Sequence, residues 1–278
     1  MSALSTKPFH FFENVPVLRT EALSPSMVRI VFGGPELSGF NGGGRDQSLS
    51  LFLPGPDQDK PVVPVAEGEE WFTAWRATAP EQRAVMRAYT ARAHRCASNG
   101  AGVDELDIDF VLHGDTGPAT KWAATARPGD RVTILGPVEA NNRSVAFRPP
   151  EHTDYVLIVA DETALPAAAS ILASLPADTR VLCWLEVPAD RDVCDLRTEA
   201  HADITWLVHG ATARGRVLEA VRAADLPEGR PYAWIAGESK TVRDMRRHLV
   251  RDRGIAKSDI TFRGYWRMGA SEDDLLAE

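Results

Sequence analysis

Tyr155-Val156-Leu157-Ile158-Val159-Ala160-Asp161-Glu162-Thr163-Ala164-Leu165-Pro166 decides the fold of the second half of the chain. Six consecutive apolar residues read as a strand covered on both faces, the pattern of a parallel sheet. A helix is predicted over 165–175, stopped by Pro176, so the run opens a strand–helix step. Downstream, 181–185, 203–208, 232–237 and 260–262 read as strands, and 215–224 and 241–253 as helices. Such alternation defines an open α/β sheet. Ligands of these sheets sit beyond the carboxyl ends of the strands, where Asp161-Glu162-Thr163 falls. No Gly-x-Gly-x-x-Gly fingerprint accompanies it.

Upstream the pattern changes. Val28-Arg29-Ile30-Val31-Phe32, Ser48-Leu49-Ser50-Leu51-Phe52-Leu53, Leu106-Asp107-Ile108-Asp109-Phe110-Val111-Leu112-His113 and Asp130-Arg131-Val132-Thr133-Ile134-Leu135 alternate and end in Gly/Pro turns. This is the signature of an antiparallel sandwich or barrel. A helix is expected over 68–87, where Trp71 and Trp75 stand four apart, and another from Gly117-Pro118-Ala119. The expected organisation is a β-barrel domain over 1–138, a polar linker over 139–153 (Asn141-Asn142, Pro149-Pro150), and an α/β domain with a tail over 154–278.

The formal charge is −8, from 31 Lys+Arg against 39 Asp+Glu, which argues against a general nucleic-acid or anionic-membrane binder. Cys96, Cys183 and Cys194 are scattered with no Cys-x-x-Cys pair, as in a reducing compartment. The opening Met1-Ser2-Ala3-Leu4-Ser5-Thr6-Lys7-Pro8 lacks a signal-peptide core, and no apolar run reaches the roughly 18 residues of a membrane span. A soluble cytoplasmic protein is expected, monomeric because no long apolar seam is evident. His94, His152, His201, His209 and His248 show no ligand spacing, so no metal site is expected.

Arg87-Ala88-Tyr89-Thr90-Ala91-Arg92 carries the chemistry of the first half. On an extended backbone Arg87, Tyr89 and Ala91 point one way and Ala88, Thr90 and Arg92 the other. An aromatic ring here can lie against a flat cofactor, and a guanidinium can grip a diphosphate. A plain strand with solvated arginines and a half-buried Tyr fits the hexapeptide equally well. Some twenty residues on, Asp109 to Gly114 and Gly117-Pro118-Ala119-Thr120-Lys121-Trp122 make a strand, turn and helix start. The amides of Ala119 and Thr120 would face a phosphate there. Arg243, Arg246, Arg247 and Arg251 share helical spacings, as a solvated basic face or a site for a 2′-phosphate or an anionic chelate. Gly264-Tyr265-Trp266-Arg267 follows near the chain end, with core packing and stacking beside a cofactor both open.

Taken together, these motifs resemble the siderophore-interacting proteins, a family of the ferredoxin–NADP reductase superfamily, from about Phe9 to Gly269. The resemblance implies a Greek-key flavin barrel, a Rossmann-like α/β sheet, FAD, and NADH or NADPH. It implies that Tyr89 packs on the flavin, Thr90 bonds near its N5 edge, and one or both of Arg87 and Arg92 hold its diphosphate. Asp109, His113, Ala119 and Thr120 would complete the flavin site. Asp161, Thr163, Gly237, Glu238, Arg243, Tyr265 and Trp266 would serve cofactor binding in the second half, and Arg246 and Lys257 would contact substrate. The implied activity passes hydride from NAD(P)H to FAD and single electrons to a ferric siderophore. Alternatives are another acceptor (an oxygenase partner, a quinone or free flavin) or a non-catalytic siderophore or flavin carrier. Two departures stand out: Ala160 replaces a glycine of Gly-Asp-Glu-Thr-Ala-Leu-Pro, and Ser50 stands where many members carry a basic residue. Glu186, after the second α/β strand, can favour a free ribose hydroxyl.

Overall fold

The computed structural model describes residues 9–55, 57–97, 102–112, 117–210 and 215–270. The chain divides into two compact units between Val145 and Ala146. Asn142 belongs to the first unit, its side-chain amide donating to Gln47 Oε1 at 2.8 Å. Arg148 belongs to the second, its N–H donating to the Tyr232 hydroxyl at 3.0 Å. The polar stretch 139–153 is therefore shared between the units by specific hydrogen bonds.

In the first unit the described strands are β1 (His10–Ser24), β2 (Met27–Gly33), β3 (Ser48–Leu53), β4 (Val85–Thr90), β5 (Ala93–Arg95), β6 (Glu105–Val111) and β7 (Arg131–Gly136). They form one antiparallel sheet in the order β4-β3-β7-β1-β2-β6-β5. β1 pairs with β7 through His10 to Pro16 and with β2 from Val17 onward. Register shifts between Phe12 and Val15, where Asn14 has φ 56, and between Val17 and Arg19 bend the strand at the change of partner. Alternate residues Leu49, Leu51, Leu53, Leu106, Ile108, Phe110, Val132 and Ile134 fill the buried face.

The opposite face of β6 carries Glu105, Asp107 and Asp109, and arginines cover it. Arg29 grips Asp109 at 2.7 and 2.9 Å, and Arg95 bonds both Glu105 and Asp107. Charge on a buried strand face is tolerated because each carboxylate is paired and hydrogen-bonded.

The helix expected over 68–87 is much shorter. A 3-10 turn, Val65–Glu70, is interrupted at Gly68 (φ 55), and α1 spans only Trp71–Ala77. Thr78 is extended, and Pro80 keeps Ala79 out of helical space. Helix-favouring composition over 81–87 yields to sheet pairing, because β4 completes the sheet beside β3. α2 (Pro118–Thr125) lies against the core through Ala119 and Ala123.

The second unit holds β8 (Tyr155–Ala160), α3 (Leu165–Ser174), β9 (Arg180–Val187), β10 (His201–Val208), α4 (Arg216–Ala223), β11 (Pro231–Glu238), α5 (Ser239–Arg251) and β12 (Ile260–Trp266). The described strands pair in parallel in the order β10-β9-β8-β11-β12. β8 is buried at every residue, as its unbroken apolar run requires. The chain leaves β8 towards β9 on one side and returns to β11 on the other, so the topological switch point lies between β8 and β11. Among the described residues, no helix is long and apolar enough to cross a membrane.

Candidate cofactor sites

The run 87–92 is the seam of the first sheet. β4 and β5 are its opposite edges, yet only Ala91 and Arg92 join them, so the sheet has to curl closed here. The seam is pinned from both sides. Ala91 N–H donates to the Gln47 carbonyl and Arg92 N–H to the Asp107 carbonyl, each at 2.9 Å. Register places Arg87 opposite Leu51 and Tyr89 opposite Leu49, hence on the core-facing side. The Tyr89 ring meets Phe110 with centroids 4.4 Å apart, and Arg87 Nη1 donates to the Met86 carbonyl at 2.7 Å. Thr90 is buried and Ala88 exposed.

Ala88, Ser48 and Ser50 line one wall of a cavity of about 880 Å³, together with Phe11, Trp71 and Arg143. Helix α2 opens at Gly117 without a side-chain cap and with Pro118 in its first turn. The amides of Ala119 and Thr120 thus have no acceptor inside the helix. The Thr120 hydroxyl donates to the Val111 carbonyl at 3.5 Å, so the amide is the donor this residue keeps for an anion. Two arginines, an aromatic ring, an uncapped helix start and the small exposed Ala88 fit a flavin dinucleotide. Asp109 differs from its companions: it is buried and committed to Arg29. His113 lies outside the described residues.

In the second unit Asp161 organises the switch point. Its Oδ1 accepts from Thr163 N–H at 2.9 Å and from the Thr163 hydroxyl at 2.5 Å. Its Oδ2 accepts from Glu238 N–H and from Trp266 Nε1, both at 2.8 Å. Burial first, and then the neighbouring Glu162 charge, push Asp161 up to about 6. Gly237 has φ 141, and a Cβ there would lie 2.5 Å from Asp161 Oδ2, so only glycine lets the end of β11 approach so closely. Glu238 caps α5 by accepting from Lys240 and Thr241 N–H. Above these residues opens a crevice of about 310 Å³, lined by Asp161, Gly215, Gly237, Glu238, Thr241 and Trp266 among others.

Asp161, Thr163, Gly237, Glu238 and Trp266 thus form one cluster. Tyr265 precedes Trp266 on β12. Arg243 is exposed on α5, and Arg246 stacks over Phe262, 4.5 Å from the ring centroid. Lys257 stands before β12, at the amino end of the parallel strands and away from the crevice at their carboxyl ends. Glu186 lines the same crevice, and its carboxylate is engaged by the chain. It is buried and accepts from Gly215 and Arg216 N–H at 2.9 to 3.1 Å, capping α4. Sequence reading also missed Gly215 as the left-handed residue (φ 89) that opens α4, although a lone glycine before a helix is the available signal.

A curled antiparallel sheet with this seam, and a parallel sheet with its crevice at the switch point, define the class of flavin reductases that use a nicotinamide nucleotide. Residues 16–141 match the siderophore-interacting FAD-binding domain and residues 153–269 the siderophore-interacting protein domain. The chain belongs to the siderophore-interacting protein family. It is 30% identical to the ferric vibriobactin reductase ViuB of Vibrio cholerae over 92% of this chain and 89% of that one. It is 33% identical to an NADPH-dependent ferric-chelate reductase of Escherichia coli over 86% of each. A solved siderophore utilization protein from T. fusca superimposes with a TM-score of 0.80 at 31% identity, covering 97% of both chains.

Proposed function

We propose that this protein is a ferric-siderophore reductase that takes hydride from NADH or NADPH and delivers electrons to chelated Fe(III). The observation that carries the reading is the pairing of the 87–92 seam with a crevice at the switch point of the second unit. Bound FAD supplies the conversion of a two-electron hydride into one-electron transfers. Arg87, Arg92 and the Ala119 and Thr120 amides bind its phosphates, Tyr89 packs on its ring system, and Thr90 offers a hydroxyl to the ring edge. Asp109 supports the site through Arg29, and His113 contacts the adenosine side. Asp161, Thr163, Gly237, Glu238, Tyr265 and Trp266 shape the nicotinamide pocket, and Arg243 faces the nucleotide's anionic end.

Arg246 and Lys257 are the substrate contacts in this reading. Two Fe(III) are reduced per NAD(P)H, and the softer Fe(II) leaves hard oxygen ligands more readily. The protein works as a cytoplasmic monomer. Cys96 and Cys183, as free thiols, support the reducing compartment.

The test is anaerobic. Flavin absorbance should bleach with NADH or NADPH and recover on adding a ferric siderophore, with Fe(II) appearing in a ferrous-specific chelator. Bleaching without recovery, alongside rapid oxidation by a quinone, would move the assignment to another acceptor. No bleaching with either nucleotide would leave a carrier. Arg87→Ala and Tyr89→Ala should each purify with markedly less flavin.

A further inference from the structure

β5 and β6 pair antiparallel, with His94 opposite Leu106 and Arg95 opposite Glu105. Carried one residue further, that register sets Cys96 across from Asp104. Residues two apart on a strand share a face. His94, Cys96 and Asp104 therefore emerge on one side, while Arg95 and Glu105 make their ion pair at 2.8 Å on the other. One donor atom from each of the three lies within 4.8 Å of the others, and Cys96 Sγ stands 3.8 Å from His94 Nδ1. Ligands at metal bond lengths of about 2.0–2.3 Å in a tetrahedron are separated by roughly 3.3–3.8 Å. Closure onto an ion asks for side-chain adjustments of only about an ångström.

The frame around these donors is fixed. Asp104 Oδ1 accepts from Ala97 N–H at 2.7 Å, which orients the carboxylate as outer hydrogen bonds do in metal sites. The Asp104 carbonyl accepts from Gly34 N–H at 3.0 Å. Gly33 allows that approach, since a Cβ there would lie 2.3 Å from the same carbonyl oxygen. Phe40 meets the His94 ring edge-on, with centroids 5.0 Å apart. All three ligand residues are half-buried, so an ion can reach them from solvent.

We propose that His94, Cys96 and Asp104 bind one divalent transition-metal ion of the zinc class, with water completing the coordination. Thiolate and imidazole select a borderline ion over magnesium or calcium, which take oxygen ligands. Spacing among the histidines gives no hint of the site. His94 lies on β5, Cys96 stands one residue past its end, and Asp104 stands just before β6. None of the groups assigned to the flavin or the nucleotide is involved, so the site stands apart from the reductase reading.

FAD-loaded protein carrying Cys194→Ser, which removes the exposed thiol, would be kept reduced and dialysed against zinc. Bound metal and its affinity would be measured by competition with a chromophoric chelator. One zinc per chain is expected, undisplaced by excess magnesium or calcium. Cys96→Ser and Asp104→Asn should each weaken it by about tenfold or more, with flavin content unchanged. Absence of stoichiometric zinc, or undiminished affinity in Cys96→Ser, overturns the proposal. Should a variant fold poorly, zinc must still slow alkylation of Cys96 in the Cys194→Ser protein; equal alkylation rates with and without zinc overturn it too.

Discussion

Trp266 donates its indole N–H to Asp161 at 2.8 Å, joining residues 105 positions apart in the sequence. The same carboxylate holds the amide of Glu238 and both donors of Thr163. One buried acidic side chain thereby ties the ends of β8, β11 and β12 together at the switch point. The floor of the crevice is rigid because its parts share a single acceptor.

That carboxylate should leave a mark on the pH dependence of stability. Asp161 titrates near about 6 in the fold and near about 3.9 in an unfolded chain. Between those values the folded state holds more protons than the unfolded one, so this contribution to stability falls as pH rises from about 4 to about 6. Asp161→Asn does not titrate. The wild-type minus variant difference in unfolding free energy should therefore change across that window and be flat above about 7. At neutral pH the variant should lose about 1–3 kcal/mol for each donor left unpaired. A denaturant series at several pH values measures both, and a pH-independent difference would refute the raised value.

Gly237→Ala places a Cβ into Asp161 Oδ2 from a backbone with φ 141. Strain of this kind costs about 1–3 kcal/mol, concentrated in the crevice floor. Thermal melts should shift down and KM for NAD(P)H should rise, while flavin content stays at wild type. An unchanged KM would separate Gly237 from the nucleotide site.

The second unit was legible in the sequence because parallel strands are buried on both faces, and apolar runs such as 155–160 announce it. β1 was not, since Glu13, Asn14, Pro16, Arg19 and Glu21 interrupt its alternation and three register shifts break its pairing. The overlong helix at 68–87 has a related cause. Local composition favours a helix, but the demand of β3 for a partner at Val85–Thr90 is non-local. Site residues clustered where the chain folds back within a few positions, as Asp161 and Thr163 do. Pairings such as Arg29 with Asp109, or Trp266 with Asp161, depend on strand order, which composition does not carry.

Glu186 offers a discriminating case. Its carboxylate caps α4 through Gly215 and Arg216, so Glu186→Gln should cost stability, about 1 kcal/mol on the scale of a helix cap. The ratio of kcat/KM for NADH to that for NADPH should not move. A shift of tenfold towards NADPH would show instead that the carboxylate reads the ribose.

The arginine-covered face of β6 governs acid tolerance. Hydrogen bonds from Arg19 and then Arg95 hold Glu105 down at about 2, below its ordinary value of 4.5. Its contribution is fully present above pH 4.5 or so and is lost as pH falls towards about 2. Glu105→Gln should narrow the gap between neutral and acid stability, read by melting temperature over that range. Arg29→Ala leaves Asp109 buried without its bidentate partner, and should cost up to about 3 kcal/mol at neutral pH.

Ser50 tests the substrate. It lines the cavity of about 880 Å³ beside Ala88, one residue from Tyr89 along β4. Arg143 is the cation among the cavity's lining residues, and Glu13 opposes it in sign. An ammonium placed within about 4–6 Å of an anionic chelate, in a site open to water, contributes on the order of 1 kcal/mol. Ser50→Lys should therefore lower KM for an anionic ferric siderophore about fivefold, and the gain should fade at high salt. KM for a neutral ferric hydroxamate should stay put, because no charge is there to attract. An equal response from both chelates, or none from either, would place iron-chelate binding elsewhere than on this wall.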